Sequence, residues 1–178
     1  MEKRIQSKRI YDGKIIKVDV DDVELINQKQ TKREVVIHNG GVGILAIVDG
    51  KIILVKQYRY PHHDFLVEIP AGKIEIGEDP YDTGMREIEE ETGYHAKSMN
   101  LITKMIPTPG YSSEVIHIYE AVDVQIAINP LESDDDEFID LIYLPIEEAY
   151  KQVQVMKICD AKTIVAIYYA YNKYIKKD

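Results

Sequence analysis

Four of the five residues from 87 to 91 are glutamates, within the run Arg86-Glu87-Ile88-Glu89-Glu90-Glu91-Thr92-Gly93. Wound as an α-helix at about 100° per residue, with Glu87 at zero, Glu91 falls near 40° and Glu90 near 300°. Three carboxylates then share one face, and Glu89 points away from them. Arg86 lies beside Glu90 at i, i+4 and can pair with it. Tyr81, Met85, Ile88 and Thr92 fall between about 100° and 160°, which makes theirs the expected buried side. Carboxylates this close repel one another, and a partly buried cluster is costly unless a cation sits in it. Oxygen ligands select hard ions such as Mg²⁺, Mn²⁺ or Ca²⁺. Mg²⁺ takes one or two protein carboxylates and fills its other positions with water and substrate phosphate. The alternative is a solvated acidic helix face, and the three glutamates alone do not separate the two.

The flanking residues do. Gly72 is followed after five residues by Glu78, and after seven more by Arg86-Glu87-Ile88-Glu89-Glu90-Glu91-Thr92-Gly93-Tyr94. This pattern resembles the Nudix hydrolase signature at every fixed position; Tyr94 is a looser match at a position where aliphatic residues are commoner. Seven identities at roughly 5–10% usage each match by chance at a given start on the order of once in 10⁸. The resemblance implies an α+β chain with an α/β/α sandwich around a mixed, curved sheet, the signature forming a loop–helix–loop. It implies hydrolysis of a nucleoside diphosphate linked to another moiety, with Mg²⁺ or Mn²⁺ as cofactor. By position, Glu87 and Glu91 would be the principal metal ligands. Glu90 would be a further ligand or orient one, and the carbonyl of Ala71 would be an additional ligand. Arg86 would hold the carboxylates in place, Glu78 would support them, and Gly72 and Gly93 would be structural. Gly84 departs from the common pattern, in which alanine is frequent. A mid-helix glycine costs about 1 kcal/mol relative to alanine, and close packing would account for it.

Three further segments resemble the ADP-ribose pyrophosphatase branch of that family. They are Val55-Lys56-Gln57-Tyr58-Arg59-Tyr60-Pro61, then Glu68-Ile69-Pro70-Ala71-Gly72, and a proline, Pro109, sixteen residues after Gly93. The resemblance assigns substrate contacts to Arg59, Glu68, Pro109 and Gly110, and more weakly to Arg33 and Glu34 reaching the adenine site of a partner subunit. A guanidinium fork suits a diphosphate. Glu68 has the alternative of pairing with a neighbour, and Pro109-Gly110 that of a simple turn. Tyr58 and Tyr60 are expected to pack rather than stack a base. In these relatives a glutamate outside the signature takes the proton of the attacking water. The matching acidic segment here makes Glu137 the first choice, with Asp135 and Asp136 as alternates. The products would be AMP and ribose 5-phosphate. The signature is blind to the leaving moiety, so ADP-glucose and GDP-mannose are alternative substrates. A non-catalytic ADP-ribose-binding sensor is the rival of another class.

Those side chains need a frame. Residues 14–26 and 33–38 read as strands, and 42–48 and 52–58 as a hairpin across Asp49-Gly50, both of which tolerate positive φ. A short strand is expected at 65–69, ended by Pro70. Asp79 and Pro80 open the signature helix and Gly93 ends it. Strands follow at 101–106, 115–122 and 138–144, a short helical region at 145–152, and a last helix from about Asp160. There Ile164, Ile167, Tyr168 and Tyr171 form an i, i+3, i+4, i+7 stripe. The order is not a regular β–α alternation, so a doubly wound parallel sheet is not expected. Residues 1–40 read as an N-terminal region of antiparallel strands, to which the resemblance assigns dimerisation, and 41–178 as the hydrolase domain. The resemblance implies a homodimer with those strands exchanged or packed across the interface.

The chain of 178 residues carries 22 Lys+Arg against 31 Asp+Glu, a net charge of −9. No basic stripe stands out, which argues against nucleic acid as a partner. The longest stretch without Asp, Glu, Lys or Arg, 35–48, has 14 residues and is too short to span a bilayer. Met1-Glu2-Lys3-Arg4 lacks the apolar core of a signal peptide. The single cysteine, Cys159, excludes an internal disulfide and reads as a buried small residue. A cytoplasmic protein acting on a small nucleotide sugar is the expectation.

Overall fold

The structure, a computed structural model of the chain, describes residues 1–131 and 138–176. Two compact units emerge, Met1–Gly40 with Ile106–Val115, and Gly41–Met105 with Ile116–Asp178. Among the described residues no helix is long and apolar enough to cross a membrane.

The first unit is an antiparallel sheet of β1 (Lys3–Asp12), β2 (Lys17–Glu24) and β3 (Gln30–Ile37), in that order. Strand β2 is central and buries Asp19 and Val23. Arg9 on β1 closes on Asp19 with two bonds. The strands expected at 14–26 and 33–38 correspond to β2 and β3, whereas β1 lies outside both. Its ten residues are exposed throughout, so no alternation of apolar and polar residues marks it. Residues 106–115 return to this unit, with Val36 N–H donating to Tyr111 O at 2.7 Å and Ser113 N–H to Val36 O at 2.9 Å.

The second unit holds β4 (Gly41–Val48), β5 (Lys51–Arg59), β6 (Asp64–Glu68), β7 (Ala71–Lys73), α1 (Pro80–Thr92), β8 (Tyr94–Met105), β9 (Ile116–Ile126), β10 (Ile139–Pro145), α2 (Ile146–Gln154) and α3 (Ala161–Tyr174). The sheet runs β10-β5-β4-β9-β8, with β6 on β5 and β7 on β4. The β4–β9 pair is parallel and the other pairs are antiparallel, so the sheet is mixed. Asp49 and Gly50 turn the β4–β5 hairpin with φ of 50° and 73°, the mirror-image geometry that matches strand twist. Only three residue pairs join β4 to β5, and then the strands part. β4 continues against β7 and β5 against β6. The linking segment fills the fork, where Ile44 N–H donates to Pro70 O at 2.8 Å.

Both faces of this sheet are covered, which explains the near-continuous apolar runs of β4 and β5. Val42, Ile44, Ala46 and Ile53 pack with Ile88 of α1, Met99 and Tyr119. Leu45, Ile52, Leu54 and Ile118 pack with Ala149 and Val153 of α2 and Ala166, Ile167 and Ala170 of α3. This is the α/β/α sandwich that the signature implies. The stripe on α3 is displaced from its expected position. Thr163, Ala166, Ile167 and Ala170 are buried, while Tyr168 is 40% exposed. Small residues let the helix approach the sheet, and the larger ring is left at the rim. Cys159 is exposed, contrary to expectation, because it follows the buried Ile158 at the entry to α3.

Candidate active site

Helix α1 begins and ends as its sequence dictates. Asp79 accepts from Tyr81 N–H at 2.8 Å, Pro80 takes the first position, and Gly93 closes the helix at φ 68° with its N–H on Glu89 O. Its buried arc is wider than expected. Thr83, Gly84, Glu87, Ile88, Glu91 and Thr92 are buried, whereas Tyr81 and Met85 are only partly so. Two of the three clustered carboxylates therefore lie within the packed side of the helix rather than beside it. Gly84 sits where an added Cβ would come within 3.1 Å of Met99 Sδ, the close packing that its helix-weakening presence requires.

Arg86 is the hub of the acidic face. Its Nη1 donates to Glu87 Oε1 at 2.8 Å and to Glu90 Oε2 at 2.6 Å. Its Nε and Nη2 donate to the two oxygens of Glu78 at 3.2 and 3.3 Å. The guanidinium thus faces three carboxylates from two different elements. Burial works against its charge, but Glu78, Glu87 and Glu90 outweigh that and hold it well above its ordinary value. Glu78 is drawn below the usual carboxylate range by the Arg86 bonds.

Glu87 and Glu91 are 8% and 7% exposed. Ala71 N–H donates to Glu91 Oε2 at 2.9 Å, tying the start of β7 to the helix. A Cβ on Gly72 would fall 1.9 Å from both Glu87 Cδ and Oε1, so the carboxylate occupies a cradle that only glycine leaves open. The donor set is all oxygen, which suits Mg²⁺ or Mn²⁺. Among the described residues no three such side chains converge closely enough to hold a metal ion as they stand. Arg86 supplies the positive charge among them.

A second cluster lies on β5 and β6. Arg59 Nε and Nη2 donate to Glu68 Oε1 and Oε2 at 2.6 and 2.9 Å. Glu68 is 2% exposed and also bonds Lys162. Burial pushes its carboxyl up, but Arg59 and Lys162 outweigh that and hold it at about 2. Of the two readings of Glu68, the structure displays the ion pair. The Glu68 bond raises Arg59 against the effect of burial, with further help from the fields of Glu91 and Asp160, so it is within electrostatic reach of Glu91 on α1. Tyr58 packs edge-on against Phe65 at 5.4 Å, and Tyr60 against His63 at 5.2 Å. Lys162 is absent from the sequence reading. Its one local signal is a lysine in the first turn of a helix, where the dipole disfavours a cation.

Arg33, Glu34, Pro109 and Gly110 belong to the first unit. Arg33 is held by Glu2 at 2.6 and 3.1 Å. Pro109-Gly110 lies in a turn closed by Tyr111 N–H and Ser112 N–H on Thr108 O. Glu137, with its alternates Asp135 and Asp136, lies outside the described residues.

Comparison with known proteins accords with this geometry. Residues 37–164 match the NUDIX domain model. The chain is 46% identical to an ADP-ribose pyrophosphatase of Bacillus subtilis, covering 97% of this chain and 94% of that one. It is 44% identical to a methanol dehydrogenase activator of Bacillus methanolicus, covering 94% and 91%. The crystal structure of an ADP compounds hydrolase superposes with a TM-score of 0.85 at 22% identity over 97% of this chain and 96% of the other, which shows the shared fold. A signature helix with its carboxylates gathered on Arg86, on the expected sandwich, and a family model matching most of the sequence place this chain in the Nudix family.

Proposed function

We infer that this enzyme hydrolyses the diphosphate of ADP-ribose to AMP and ribose 5-phosphate. The observation that carries the reading is the pair of buried carboxylates, Glu87 and Glu91, set against Gly72 and Ala71 with Arg59 in electrostatic reach. Glu87, Glu90, Glu91 and the carbonyl of Ala71 would hold Mg²⁺ or Mn²⁺, which when bound supplies positive charge at the diphosphate and acidifies water. Arg59, whose Nε and Nη2 are held by Glu68, binds the diphosphate oxygens through its remaining N–H donors and its charge. Arg86 keeps the glutamates together. Glu137 accepts the proton of the water whose oxygen attacks one phosphorus, and the bridging P–O bond breaks to release the two monophosphates. Glu68 acts through Arg59, Pro109 and Gly110 would shape the ribose side of a pocket, and Arg33 and Glu34 would reach the adenine site of a partner subunit.

We assign dimer formation to the N-terminal strands within residues 1–40, supported by exposed Ile5, Ile10 and Tyr11 along β1. A cytoplasmic location fits a chain with a single cysteine.

The test is AMP release from ADP-ribose at fixed Mg²⁺, beside ADP-glucose, GDP-mannose, NADH and nucleoside triphosphates. A preference for ADP-ribose that is lost in Glu91→Gln supports the reading. Preference for another sugar nucleotide keeps the chemistry and discards the substrate. Binding of ADP-ribose without turnover of anything points to the sensor. A second reading follows the relative named as a methanol dehydrogenase activator. Adding this protein to a methanol dehydrogenase assay, with and without Glu91→Gln, separates activation from hydrolysis.

A further inference from the structure

Lys162 is 8% exposed and sits in the first turn of α3. A cation there opposes the helix dipole, and a buried ammonium needs partners. Its partners lie on both sides. Nζ reaches Asp160 Oδ2 at 3.2 Å and bonds Glu68 Oε2, 94 residues away in sequence. The aliphatic stem passes Gly43, where an added Cβ would come within 3.5 Å of Lys162 Cδ. The neighbouring residue repeats the link, since Ile69 N–H donates to Thr163 Oγ1 at 2.8 Å. The start of α3 is therefore fastened to the segment that runs from Glu68 through Ile69 to Ala71.

We infer that Lys162 is a positioning residue for hydrolysis: by sharing the buried Glu68 carboxylate it fixes Arg59 and leaves the guanidinium charge available to the substrate diphosphate. This rests on the reading of Arg59 as the diphosphate ligand. Glu68 carries one negative charge and receives two cations, Arg59 through Nε and Nη2 and Lys162 through Nζ. Lys162 supplies the second positive charge that, with Arg59, offsets Glu68 and Asp160. Without it, Arg59 alone offsets two carboxylates, and the group's pull on a diphosphate falls. Asp160, whose Oδ2 meets Lys162 and also caps α3 by accepting from Thr163 N–H at 3.0 Å and Thr163 Oγ1 at 2.6 Å, brings the group of four to neutral, so that removing Lys162 leaves it net negative. Glu68 also loses a donor when Lys162 is removed, so the carboxylate that orients Arg59 is held by one partner fewer.

The test is a double-mutant cycle of Lys162→Met and Arg59→Ala, reading kcat and KM for ADP-ribose at fixed Mg²⁺ beside thermal unfolding. Lys162→Met is expected to lower kcat/KM about tenfold, and the double variant to match Arg59→Ala within about twofold, because Lys162 acts only through Arg59. Losses that multiply would overturn the inference, since a merely structural lysine acts independently of Arg59. If Lys162→Met does not fold, Lys162→Gln, which keeps a donor but no charge, takes its place in the cycle. Absence of turnover by the unmodified protein counts against the proposed function instead. The cycle is then read on ADP-ribose dissociation constants, where shared losses uphold the relay and multiplied losses overturn it.

Discussion

Replacing Gly72 with alanine separates site geometry from fold. The new Cβ would lie 1.9 Å from Glu87 Cδ, and ordinary contact begins near 3.4 Å, so the carboxylate must retreat by about 1.5 Å. The obstacle is the end of a flexible side chain, and Gly72 is not among the residues with positive φ, so the backbone accepts alanine. Alanine stabilises by about 0.4–1 kcal/mol through the unfolded state. Loosening the Arg86–Glu87 bond of this partly buried pair costs a similar amount, because Arg86 keeps its bonds to Glu78 and Glu90. Stability should therefore stay within about 1 kcal/mol of the starting protein. Activity should not, because a misplacement of about 1 Å costs on the order of 100-fold. The assay is AMP release from ADP-ribose at saturating Mg²⁺, paired with urea unfolding. Turnover within about threefold of normal, with unchanged stability, would refute the claim that Glu87 works from the position it occupies here.

Arg86→Met should destabilise the protein by about 2 kcal/mol in chelator, since three carboxylates lose their shared cation. Excess Mg²⁺ should recover part of the loss, and an equal deficit with and without Mg²⁺ in thermal unfolding would count against a cation site there. Glu68 has a folded pKa of about 2 against an ordinary 4.5, so its contribution is fully present above pH 4.5 and is lost as pH falls toward 2. The size is about 3 kcal/mol, and urea unfolding between pH 5 and pH 3 should show a steeper decline for the unmodified protein than for Glu68→Gln. Glu137→Gln should lower kcat by about 10²–10⁴-fold with unfolding unchanged; near-normal turnover would move the base to another acid.

Local chemistry makes much of this site readable in the sequence. The caps at Asp79 and Gly93, the Asp49-Gly50 turn and the glutamate face each depend on residues within a few positions of one another. What was hidden depends on distance. The i, i+4 spacing announced the Arg86–Glu90 pair, but the Glu78 bonds form across a loop that periodicity does not describe. Helical angles placed Glu87 and Glu91 on one face without showing that Gly72 would bury that face. The three-residue β7 is too short for any alternation, and Lys162 has no local pattern pointing to Glu68. Tyr168 was expected inward because it is large and apolar, whereas the sheet accepted alanine and threonine instead.

The fastening of α3 to Glu68 and Ile69 also has a temporal consequence. Contacts 94 residues apart close a loop whose entropy cost grows to about 4 kcal/mol by the logarithmic rule. Such contacts are made late. During synthesis Arg59, Glu68 and the signature helix leave the ribosome well before Lys162 does. The hairpin and α1 can organise in that interval, but the arginine's final support arrives only when the C-terminal helix docks. Catalytic competence should therefore appear as a slow step after most secondary structure has formed, and refolding followed by activity should lag refolding followed by circular dichroism.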